Sequence, residues 1–374
     1  MKEVKETSYE KRNIGIDILR IVSMYQIVML HFLNLGEVLD KLKPGTLSAA
    51  LIRFVCVTSL VSVNVFGIIT GWLNCEKKDY KWNRIIELLL SVLFWCTALT
   101  VSLFPILHNQ LTLKDFIIAL FPALKGRYWY ITSYVFVFFS MPYLNRVATS
   151  LDRNEFKKML IILVVLLSVL PTFLRTDFFK LNNGMSPLWL IVCYFIGAYI
   201  KRYFNGEKIS KEFCLRLFFL LAVCTLIWWM LTEYVTIRLF NEAKLCTFWT
   251  NSYYSPVLVV MAVAAVLWGT RIQCNWAKMK AIIIGLSDVT FGIYIIHCNI
   301  LLWDRIIEPI IIKKSELVLS TGAICSTLVF MIGALVLFLF SALLEKGRIL
   351  LFENCHIKEY QDNFATKMNR RFPL

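Results

Sequence analysis

Residues 16–32 read IDILRIVSMYQIVMLHF, a run with the length and apolar content of a membrane helix except for Asp17, Arg20 and His31. An ionisable side chain at membrane depth costs a few kcal/mol and usually faces a bundle interior or a wet cavity. Each of the three therefore asks for a partner. Asp17 and Arg20 are three residues apart on one helical face and are expected to pair near the cytoplasmic end; snorkelling at the helix end is the plainer explanation. His31 lies three turns beyond Arg20, roughly 16 Å along the axis with a face offset of about 20°. Arg20, Met24, Ile27 and His31 thus make one stripe, the layout of a route along which something is handed across.

The rest of the chain puts that stripe in a bilayer. Of 374 residues, 58% are hydrophobic and 17% charged, and the mean hydropathy is +0.66, too apolar for a soluble fold with a polar surface. Apolar windows fall near residues 14–35, 50–73, 85–107, 128–145, 158–174, 188–203, 213–232, 252–270, 281–303 and 318–344. The expectation is an all-α polytopic membrane protein of about ten transmembrane helices, each needing roughly 20 residues. The first window lacks a small-residue cleavage site and is read as a retained helix, not a removable signal peptide. With both termini cytoplasmic, 25 Lys and Arg residues fall in inner segments and 12 in outer loops, the positive-inside pattern.

The net charge of +15 is then a topology signal and an attraction to anionic lipid headgroups, with no nucleic acid needed to explain it. No loop is long enough for a separate soluble domain. The expected organisation is a short tail (1–13), one membrane domain (14–344) and a basic cytoplasmic tail (345–374). Eleven cysteines are scattered singly with no CxxC pair, so neither a metal site nor a disulfide framework is indicated.

Further polar residues interrupt other windows. The ninth, DVTFGIYIIHCNILLW (288–303), carries His297 about as deep as His31. A lone membrane histidine is ordinarily a packed, hydrogen-bonded residue; two at similar depth point to a site, because imidazole acts as base or nucleophile near neutral pH. The second window holds Ser59, Ser62, Asn64 and Thr70 as internal hydrogen-bonding groups. Its Gly67 and Gly71, four apart, form a face that lets another helix come close. KKDYKWNR (77–84) follows, either a phosphate-holding turn or a topology anchor. Arg127, Tyr128, Trp129 and Tyr130 open the fourth window, either as interfacial belt residues or as a platform on which sugar rings stack.

These stretches together resemble the acyltransferase-3 family, integral-membrane enzymes that put acyl groups on hydroxyls of bacterial surface polysaccharides and related glycans. DILRIVSMYQIVMLH fits that family's acidic residue and arginine followed by histidine. VNVFGIITGWLN is similar to its second-helix pattern, with Thr70 in a serine position. RYWYITSYVFVFFSMPYLN fits its aromatic stretch before a proline, and FGIYIIH its late tyrosine and histidine. The family's basic pair is matched by Lys81 and Arg84, where lysine keeps the cation but loses the planar fork.

The resemblance implies a multi-pass protein of the bacterial plasma membrane, with acetyl-CoA or another acyl-CoA as cytoplasmic donor, a glycan acceptor at the outer face, membrane lipids around it, and no metal. Polysaccharide-assembly proteins or a second copy of the chain are possible partners. On this reading His31 deprotonates the acceptor hydroxyl or carries the acyl group, with Asp17 holding Arg20 in place. Arg20, Lys81 and Arg84 meet the donor phosphates, while Asn64, Arg127, Trp129, Tyr130, Tyr294 and His297 serve the acceptor. The rival class is a transporter or flippase for lipid-linked glycans, in which the same stripe lines a translocation path.

Overall fold

The computed structural model describes residues 12–77, 81–107, 112–121, 126, 128–204 and 209–372, and among them it is all-helical with no strand. Among the described residues six helices are long and apolar enough to cross a membrane: Ile14–Asn34, Leu47–Asn74, Trp82–Leu107, Arg153–Leu174, Lys211–Phe240 and Ala323–Asn354. The pair Ala277–Asp288 and Thr290–His297, bent by 41°, makes a seventh if taken as one span.

The remaining apolar windows also form helices, of different character. Trp129–Ser150 has 22 residues but carries more polar groups, Pro187–Tyr203 has 17, and Pro256–Gly269 has 14. The 281–303 window is broken at Val289 and again after His297. A helix the windows did not include, Glu308–Ser320, follows it, and the chain closes on a polar helix, Ile357–Arg371.

Local chemistry sets the ends that matter. Asn13 caps the first helix, its side-chain oxygen accepting from the Ile16 N–H, while its amide donates to the Thr270 carbonyl at 2.9 Å. Ser186 caps Pro187–Tyr203, whose first-turn proline needs no N–H partner. The helix Thr290–His297 stops at Cys298, and Asn299 restarts the chain by accepting from the N–H groups of Leu301 and Leu302. His297 and Cys298 therefore stand together at a helix end.

The glycines of the second span do bring a helix close. A side chain on Gly71 would overlap the Tyr194 carbonyl, one on Gly197 would overlap the Ile68 carbonyl, and Gly67 lies against Cys193. Leu47–Asn74 and Pro187–Tyr203 thus pack backbone to backbone at the centre. Around them Leu231, Leu239, Leu328, Val336 and Leu343 are exposed, an apolar exterior fit for lipid. Within that exterior Arg53 and Glu233 form a buried two-pronged ion pair at 2.5 and 2.6 Å, with Arg53 also over the Trp229 ring.

Candidate active site

A cavity of about 1860 Å³ enters the bundle, and Arg20, Met24, Ile27 and His31 all line it. The first-helix stripe is therefore one wall of a continuous passage. Lys77, Arg84, Lys201, Lys280, Lys346 and Lys358 line its charged end, where cations outnumber the carboxylates of Glu76, Glu87, Asp288 and Glu353, and Trp129, Tyr130, Tyr253 and Tyr294 line its aromatic end. The helix Trp129–Ser150 relates the two: Asn145, near its far end, donates to the Asn74 and Lys77 carbonyls at 2.8 and 3.1 Å, so its aromatic start is at the opposite end from Lys77.

Asp17 is buried, and its tightest partner is Arg12, which sequence reasoning left in the tail. Arg12 donates Nε–H and Nη2–H to the two carboxylate oxygens, both at 2.7 Å. Ser287 Oγ donates to the same carboxylate at 2.7 Å, and Arg12 also reaches Asp288 at 2.7 Å. Arg20 Nη1 is 3.8 Å away. Asp17 thus belongs first to a clamp joining the first helix to Ala277–Asp288; the expected Asp17–Arg20 ion pair is present as its longer contact, and Arg20 also lies along the cavity wall.

At the cationic end Lys77 Nζ and Arg84 Nη1 both donate to the Asn74 side-chain oxygen, at 3.0 and 2.8 Å. Lys77 is exposed within the mouth but loses part of its hydration to the surrounding wall. That desolvation, followed by the charge of Arg84, pushes it down to about 8. Lys81, expected beside Arg84, is exposed and is not among the residues lining the cavity, whereas Lys77, exposed as well, lines it beside Arg84. No sequence rule separates the lysines of one basic turn; Lys77 is held to the end of the preceding helix through Asn74.

At the other end His31 meets the second histidine. The two imidazole centroids are 5.0 Å apart, and Trp303 stands edge-on to His31 at 5.6 Å. Cys298 lies between them, its Sγ 3.5 Å from His31 Nδ1 and 3.3 Å from His297 Nε2. His297 is fully buried. Its Nδ1 is 2.6 Å from the Ile293 carbonyl, which only accepts, so Nδ1 carries the proton and Nε2 a lone pair.

The aromatic wall is continuous with this cluster. Tyr294 is 6.2 Å from Tyr130 and 6.0 Å from His297, and Trp129 stacks on Tyr253 at 6.3 Å. Asn64, expected to touch the acceptor, is buried behind the wall. Its amide donates to the Tyr253 carbonyl at 2.7 Å and its oxygen accepts from Trp189 Nε1 at 2.8 Å, so it positions Tyr253. Arg127 lies outside the described residues.

A buried carboxylate absent from the sequence reading completes the cavity. Glu345 accepts from Trp95 Nε1 at 2.6 Å and from Arg348 at 3.0 and 2.7 Å. Gly292 is what admits it, since a side chain there would overlap the Glu345 carboxyl group. The FGIY motif was visible in the sequence; its glycine's partner, 53 positions on, was not.

An all-helical membrane protein whose cavity joins a basic mouth to the imidazole of His31, with His297 packed behind it, has the parts of a transferase acting within a bilayer. The family model described as an acyltransferase domain matches residues 13–346, and the chain belongs to that family, acyltransferase-3. No curated protein and no solved structure matches the chain. The protein is accordingly a membrane acyltransferase.

Proposed function

We propose that the protein takes an acyl group, acetyl in the simplest case, from cytoplasmic acyl-CoA and transfers it to a hydroxyl of a cell-surface or lipid-linked glycan at the outer face of a bacterial plasma membrane. In this reading about ten helices enter the bilayer, the shorter ones in its centre, and both termini are cytoplasmic. The observation that carries it is the single cavity lined at one end by Lys77, Arg84 and Lys201 and at the other by His31 and Tyr294.

The donor's phosphates engage the cationic mouth, with Arg20 further in. The pantetheine arm runs along Met24 and Ile27, and its thioester arrives beside His31. A sugar ring lies against Trp129 and Tyr130 with a hydroxyl directed at the imidazole. His31 accepts that proton as the oxygen attacks the acyl carbon; the ester bond forms, the thioester bond breaks, and the CoA thiolate takes up a proton. His31 as transient acyl carrier uses the same placement. Holding both substrates in one passage replaces a bimolecular encounter by an oriented one.

Purified protein in lipid nanodiscs, given radiolabelled acetyl-CoA and candidate glycans, is expected to move label to glycan, and His31→Ala to abolish this while staying monodisperse. Full activity in that variant would refute the role of His31. Glycan movement across the membrane without acyl-CoA consumption would instead favour a flippase.

A further inference from the structure

His31 lies more than 260 positions from the adjacent His297 and Cys298, yet the three ligand atoms lie within 4.8 Å of one another. We propose that they form a binding site for a thiophilic divalent cation, zinc by its chemistry, and that its occupation switches the transferase off. The regulatory half of this inference rests on the acyl-transfer reading; the site itself does not.

The two sulfur-to-nitrogen distances match those of a zinc site. Zn–N bonds of about 2.0–2.1 Å and Zn–S bonds of about 2.3 Å at tetrahedral angles put nitrogen and sulfur about 3.5 Å apart. The observed separations from Cys298 Sγ are 3.5 Å to His31 Nδ1 and 3.3 Å to His297 Nε2. A metal-ligating histidine almost always donates its other ring N–H to a carboxylate, backbone carbonyl or water. His297 already does, through Nδ1 to the Ile293 carbonyl at 2.6 Å, which leaves Nε2 as the ligating atom. Nitrogen and sulfur ligands together select zinc-like ions over magnesium or calcium. Three protein ligands leave a fourth position open, and His31, which lines the cavity, supplies the entry path.

Occupation changes which nitrogen of His31 is basic. Without a metal, His297 Nε2 is an acceptor for the Cys298 S–H; that assignment leaves the sulfur to accept from His31 Nδ1–H, the tautomer whose lone pair is on Nε2. With a metal, the thiol proton leaves to solvent, Cys298 binds as thiolate, and His31 Nδ1 becomes a ligand. The His31 proton must then sit on Nε2, where it removes the base. No oxidant or reductant is involved, and one proton is released per metal bound.

The test uses the full-length protein in nanodiscs, stripped with a chelator and then given zinc or cadmium alone. One metal per chain is expected to survive desalting, with cadmium producing a thiolate-to-metal charge-transfer band. Cys298→Ala is expected to weaken binding more than about 10-fold, the loss that even an outer-sphere partner causes, and to abolish the band. Cys298→Ser, which keeps the shape, provides a second variant should the alanine protein not remain monodisperse. Zinc at one equivalent is expected to inhibit acyl transfer in the parent protein, while transfer retained by Cys298→Ala loses that sensitivity. Unchanged stoichiometry in both Cys298 variants, or zinc stimulation of the stripped protein, would overturn the inference. A protein that binds one zinc through Cys298 but transfers no acyl group at any metal loading keeps the site and loses the proposed function.

Discussion

Replacing Asp17 by asparagine tests the clamp at the entrance of the passage. The substitution conserves shape, so no cavity opens, but it removes a buried charge and one of two acceptor oxygens. Three donors lose by it: Arg12 Nε and Nη2 and Ser287 Oγ, each at 2.7 Å. Hydrogen bonds to charged groups are worth about 1.5–3 kcal/mol, and breaking a buried pair from one side costs about 3–5 kcal/mol. Arg12 is 28% exposed and retains Asp288, which puts the expected loss near the lower bound, about 3 kcal/mol. Unfolding in mixed micelles by denaturing-detergent titration gives the single-variant losses. Double-mutant cycles then apportion them. Asp17→Asn with Arg12→Gln is expected to show a coupling of about 2–3 kcal/mol. Asp17→Asn with Arg20→Gln should show under about 1 kcal/mol, because that contact is 3.8 Å long. A larger coupling to Arg20, or no stability loss in Asp17→Asn, would refute the clamp.

Lys77, held near 8, is charged below that pH and neutral above it, so the KM for acyl-CoA is expected to rise severalfold between about pH 7 and 9, a rise absent in Lys77→Ala and measurable by initial rates with acceptor saturating. Gly292→Ala drives a methyl group into the Glu345 carboxyl region, costing about 1–3 kcal/mol and displacing His297; transfer activity should fall more than melting temperature alone explains, and an unaffected enzyme would contradict the close approach. Glu233→Ala leaves Arg53 buried without its partner and is expected to cost about 3–5 kcal/mol, whereas Arg53→Met with Glu233→Leu is expected near neutrality; detergent unfolding distinguishes the two.

The features legible in sequence were those for which membrane burial makes polarity expensive. Arg20 and His31 stood out because an apolar run surrounds them, and helical periodicity sufficed to put them on one wall. Gly67 and Gly71 were legible for the complementary reason, since small side chains four apart describe a surface a backbone can approach. Other features depend on tertiary partners. Arg12 read as a tail charge because Asp288 and Ser287, which fix it, lie about 275 residues away. Cys298 read as an apolar filler because its companion, His31, comes from another helix. Lys81 and Lys77 are indistinguishable until the orientation of the basic turn is known. Asn64 looked like a ligand-binding amide, but both ends of it are taken by the backbone of Tyr253 and the indole of Trp189. Window counting registered Pro187–Tyr203 as an ordinary span, although its 17 residues are shorter than their lipid-facing neighbours.

The clamp has a bearing on biogenesis. Ser287 lies 270 positions after Asp17, so at about 5–20 residues per second the ribosome needs roughly 15–55 s to deliver it. During that interval the nascent first segment has only its own arginines, Arg12 and Arg20, to meet the carboxylate. Closure of the entrance is thus a late event in translation, and truncations that stop before residue 287 are expected to insert yet remain open to degradation at the N-terminal segment.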